Sequence, residues 1–67
     1  MRTILETTIN WTNGITGRTE PKDVKIVLHN GKYFAFDGTT DLGDGDSTDE
    51  AKEIIAEWLG IEASSIA

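Results

Sequence analysis

The sequence predicts an α+β domain: a three-stranded antiparallel sheet in β-β-β-α order, with one C-terminal amphipathic helix packed on one face. Three observations predict it. Asn30-Gly31 separates two β-rich runs, "DVKIVLH" and "KYFAFD", the strongest short signal for a hairpin with a two-residue type I′ turn. The N-terminal run "RTILETTINW" is rich in Thr and Ile and ends in Trp, residue types that suit a pleated strand. The run "STDEAKEIIAEWLG" carries both the start and the stop signal of a helix.

The first strand is expected over 2–11. Side chains alternate between the faces of a strand, so Leu5, Thr7, Ile9 and Trp11 share one face and Arg2, Ile4, Glu6 and Thr8 the other. "TNGITGRTEPK" follows, with two glycines, Asn13 and Pro21, and reads as a long loop or irregular hairpin end.

The next strands are expected over 23–29 and 32–37. The turn sets their register, with His29 opposite Lys32, Val27 opposite Phe34 and Lys25 opposite Phe36. One face then carries Val24, Ile26, Leu28, Tyr33 and Ala35. The other carries Val27, Phe34 and Phe36 among Lys25, His29 and Lys32.

Residues 37–46 read as an acidic loop and 48–59 as the helix. Ser47 and Glu50 form a capping box, in which the hydroxyl accepts from an orphan amide and the glutamate reaches back. Ala51, Ile54, Ile55, Trp58 and Leu59 follow the spacing of one buried stripe. Gly60 suits the left-handed stop, with Ile61 placed to fold back on it. The tail, 60–67, fits a short turn, a further strand or a frayed end.

The chain has 67 residues and no cysteine, so a single small domain over 1–67 is expected, without disulfide or thiolate-metal support. No stretch reaches the length of about 18 apolar residues that a membrane span requires, and no signal-peptide pattern opens the chain; a soluble, cytoplasmic protein is expected. The net charge is −6 and unevenly placed. Residues 1–36 hold five bases (Arg2, Arg18, Lys22, Lys25, Lys32) and three acids (Glu6, Glu20, Asp23). Residues 37–67 hold nine acids and Lys52 alone. Such a surface repels phosphates and anionic membranes and attracts basic partners. The expected partner is therefore a protein with a basic surface, not nucleic acid or membrane.

The stretch "DGTTDLGDGDSTDE" carries six carboxylates and invites a calcium reading. An EF-hand loop needs glycine at position 6 and glutamate at position 12. Counting from Asp44 places Asp49 and Ile55 there; counting from Asp37 places Leu42 and Thr48. No metal site and no cofactor is expected. Gly43 and Gly45 lie among aspartates that repel phosphate, and no lysine follows as in a P-loop. Catalysis needs a nucleophile with a base, or two carboxylates in tuned environments. His29 is the only histidine and sits beside a turn, and Ser47 is accounted for as a cap. No enzyme is expected.

At roughly 100° per residue, Asp49, Glu50, Glu53 and Glu57 fall within about one quadrant of the helix, opposite the apolar stripe. Asp49, Glu53 and Glu57 are spaced four apart, so like charges recur about every 6 Å. That row can imitate phosphates and occupy a basic groove. The helix covers one sheet face only, which leaves Val27, Phe34 and Phe36 as a second apolar surface of the kind that marks interaction sites. Trp11, at a strand end, joins them as the aromatic anchor; Trp58 reads as core.

The turn, strand and helix order resembles HicB-type antitoxin domains over about the last half of the chain. Gly45, Asp46, Glu50 and Ala51 fit the Gly-Asp-Ser/Thr-x-x-Glu-Ala opening of their helix if Ser47 and Thr48 together occupy the one Ser/Thr place. That family's DNA-binding segment has no counterpart in these residues, and no functional residue is carried over. The resemblance implies an antitoxin-like regulator that binds a toxin. The leading expectation is a small acidic, non-catalytic protein-binding module. A phage or mobile-element inhibitor of a host protein, including the nucleic-acid mimic, is its specific form. A homo-oligomer built through the second sheet face is the third expectation.

Overall fold

The computed structural model describes residues 1–66; of the tail read over 60–67, Ala67 lies outside the described residues. The fold is α+β. Strands β1 (Arg2–Thr12), β2 (Thr19–His29), β3 (Lys32–Asp37) and β4 (Thr40–Gly45) form one antiparallel meander in the order β1-β2-β3-β4. Helix α1 (Thr48–Leu59) follows, then a 3₁₀ turn at Ala63–Ser65. The sheet has four strands, not three.

The additional strand lies in the stretch read as an acidic loop. Asp and Gly disfavour strands, which hides it. Its cause is a second tight turn: Gly38 takes φ 62 and Asp37 pairs with Thr40 across two turn residues. Burial then overrides propensity, because β4 lies under the helix through Leu42. A bulge between Asp41 and Gly43 places Leu42 against the core.

The central hairpin has the expected register, with His29 opposite Lys32 and Val27 opposite Phe34. Asn30 and Gly31 both have positive φ (51 and 77), as a type I′ turn requires. β2 begins at Thr19 rather than 23, so "TEPK" is strand and the connection shortens to a turn. Asn13 organises that turn: its side chain accepts from the amides of Ile15 and Thr16, and its N–H donates to Arg18 O. In β1 a bulge at Ile4 sends both Ile4 and Leu5 toward the core. Ile4 therefore does not share a face with Glu6 and Thr8.

Val24, Ile26 and Ala35 of the sheet meet Ala51, Ile55, Ala56 and Leu59 of the helix, all buried. Fully burying a side chain such as Ile55 contributes about 1.5–3 kcal/mol. Ile66 completes the core at 3 % exposure, so the chain is tied down as far as Ile66. The helix is rolled relative to its expected stripe. Ala56 faces the core and Trp58 is 58 % exposed. Trp58 instead lies beside Leu42 and Ile54 at the sheet's β4 side, with its indole N–H bonded to Asp37. Among the described residues, no helix is long and apolar enough to cross a membrane.

Candidate protein-binding surfaces

The start of the helix is built from its capping residues. Ser47 Oγ accepts from the Glu50 amide at 3.2 Å, and the Glu50 carboxylate accepts from the Asp46 amide. The box closes one residue further back than the sequence pattern specifies. Gly45 makes room for it: a Cβ there would lie 2.7 Å from Glu50 Cβ. Lys32, from the start of β3, pairs with Asp46 just before the helix. That hydrogen bond raises the Lys32 pKa above its ordinary value, helped by the charges of Asp46, Asp44 and Glu50.

Asp49, Glu50, Glu53 and Glu57 are all exposed on the outer helix face. Glu50 is committed in part to the cap. The salt bridge found among the described residues joins Lys32 to Asp46, and none neutralises Asp49, Glu53 or Glu57. Beside them runs an apolar groove of about 370 Å³ lined by Leu42, Ile54, Glu57 and Trp58. Trp58 is held at its mouth by a bond from its indole N–H to Asp37. Sequence reasoning assigned Trp58 to the core. Its exposure depends on how the helix sits on the sheet, which no local pattern in the sequence encodes.

The second sheet face is smaller than the sequence suggests. Val27 is only 4 % exposed, and Phe34 and Phe36 are half-buried. Their polar neighbours do the covering. The Lys25 ammonium lies 5.5 Å from the Phe36 ring centre, and His29 tilts against Phe34 at 6.4 Å. A hollow of about 180 Å³ remains between Met1, Val27, His29, Phe34, Phe36 and Asp41.

Trp11 does not belong to that face. It lies on the helix side, half-buried against the core, and its indole N–H donates to Leu59 O at 2.7 Å. It satisfies one of the carbonyls that a helix C-terminus leaves unpaired. The Lys22 ammonium stacks on its ring at 5.0 Å. The exposed aromatic anchor expected at Trp11 is thus replaced by Trp58.

Among the described residues, no group of three or more His, Cys, Asp or Glu side chains is placed to hold a metal ion. No protein-family model matches the chain, and no curated protein or solved structure matches it.

Proposed function

We propose that the protein is a small, non-catalytic, acidic binding module that docks on a basic surface of another protein. The observation that carries this reading is the exposed row of Asp49, Glu53 and Glu57, without paired cations, running beside a half-exposed tryptophan. Charge gives such a surface long-range steering, and an indole over an apolar groove gives it a short-range anchor. An inhibitor that fills a phosphate-binding groove of its target is the specific form that the spacing of the row fits.

The test compares the parent with the Glu53→Lys/Glu57→Lys double variant as bait for basic proteins, across a salt series. The reading expects partners that dissociate as ionic strength rises and that the double variant does not hold. Partners held equally by both proteins, at high salt as at low, would overturn it.

The hollow beneath Met1 favours a second reading, in which the Val27, Phe34 and Phe36 face meets a toxin-like partner or a second copy. There Phe34→Asp abolishes binding and the charge reversal on the helix does not.

A further inference from the structure

The two edges of the sheet differ in how they are defended. β4 is six residues long and is interrupted by the bulge at Leu42. Its Gly43 amide is already taken by the Asp41 carboxylate at 2.9 Å, and Asp44 adds a further charge. Short length, bulges and charges are the devices that keep an edge from pairing with another chain. β1 has eleven residues and, beyond the bulge at Ile4, runs regularly from Leu5 to Thr12 with Glu6 as its one charge and no proline.

The hydrogen-bonding phase of β1 follows from two bonds at its surroundings. Gly38 N–H donates to Asp23 O at 2.7 Å, so Asp23 turns its peptide groups toward the β3 side and away from β1. Thr8 is the partner of Asp23, so this is a non-hydrogen-bonded pair, and the N–H and C=O of Thr8 point off the sheet edge. Glu6, Asn10 and Thr12 share that phase. The bond from Asn13 N–H to Arg18 O gives the same alternation from the turn end.

The core is also open on this side. The helix lies chiefly over β3 and β4. Ile4, Leu5, Ile9 and Trp11 touch the core yet stay half-buried.

We infer that two copies pair antiparallel through β1, joining two four-stranded sheets into one. With Thr8 of each copy on the two-fold axis, Glu6 faces Asn10 of the second copy, Thr7 faces its Ile9, and Leu5 faces its Trp11. No like charges meet in this register, whereas centring on Glu6 would oppose two carboxylates. The half-buried apolar residues of β1 become a shared core. Charge favours this edge, because the acidic helix and β4 lie at the far side of the sheet. It also favours a closed dimer over a filament, because head-to-tail growth would need the defended β4 edge.

The test is the mass in solution by sedimentation across about 10 μM to 1 mM, the range in which an interface below about 1,200 Å² equilibrates. The parent forms dimers as concentration rises. Thr8→Pro stays monomeric and folded, because that N–H makes no bond to β2 and an edge strand accepts proline there; the change removes only the exposed bond from Thr8 Oγ1 to Asp23. Should that variant fail to fold, Thr8→Lys places two ammonium groups across the axis and weakens dimerisation at least about tenfold. In the dimer the amides of Thr8 and Asn10 exchange slowly. A parent that remains monomeric to about 1 mM overturns the inference. So does a dimer that survives both Thr8 variants and dissolves on Phe34→Asp. Neither result touches the acidic helix, so this inference and the proposed function fail separately.

Discussion

The indole N–H of Trp58 donates to the Asp37 carboxylate at 2.9 Å, tying the helix flank to the end of β3. The other tryptophan, Trp11, makes its bond to a helix carbonyl from a half-buried site. The two bonds have similar geometry and different worth. An exposed donor that loses its partner is re-solvated by water; a buried acceptor is not. Trp58→Phe is expected to cost less than about 1 kcal/mol in urea unfolding, and Trp11→Phe about 1–2 kcal/mol. Equal losses would mean that Trp58 is not held as described.

Gly45→Ala is expected to destabilise the fold by about 1–3 kcal/mol, since the new methyl meets Glu50 Cβ at 2.7 Å and must displace the cap. Gly14→Ala, with open space around it, serves as the control. Helicity and unfolding midpoint, followed together, check this. A neutral Gly45→Ala would show that the helix start has slack to move.

The Lys32–Asp46 pair sets an alkaline dependence. The folded pKa of Lys32 is raised above its ordinary value of 10.5, so folding favours the protonated amine. The contribution is complete below the ordinary value and disappears as pH rises through the raised one. Both groups are well exposed, so solvent screens the pair and its contribution is small. Comparing parent and Lys32→Gln, the stability difference should shrink above that value and also in high salt. A difference that grows with pH would have the wrong sign for this pair.

Much of this architecture is legible in the sequence, and the failures have physical causes. Asn30-Gly31, Ser47 and Gly60 are local signals whose geometry is fixed by a few dihedral angles, and each sits where its chemistry demands. β4 is different. Asp41, Gly43 and Asp44 are poor strand formers taken one at a time, and only the Gly38-Thr39 turn and the helix above hold them in the sheet. The acidic residues of the candidate surface were readable because helical periodicity places them directly. The positions of the two tryptophans were not, because each depends on a distant partner: Asp37 at the end of β3 for Trp58, and the helix end for Trp11.

Two isoleucines show the same limit and supply the sharpest stability contrast. Ile15 lies in the turn after β1 and is 96 % exposed; Ile66, within the tail, is 3 % exposed and part of the core. Nothing local distinguishes them, since neither belongs to a strand or helix. What separates them is the chain path. Gly60 reverses the helix at φ 69, Ile61 N–H closes on Ala56 O, and the 3₁₀ turn then brings Ile66 back to the core. Ile66→Ala is therefore expected to cost about 2–5 kcal/mol, the range for truncating a buried core isoleucine. A domain this small has only about 3–5 kcal/mol to lose, so the variant should give up half or more of its stability. Ile15→Ala should be neutral within about 0.5 kcal/mol. Urea titration of both variants checks the pair, and a stable, parent-like Ile66→Ala would mean that the tail contributes nothing to the core it lies against.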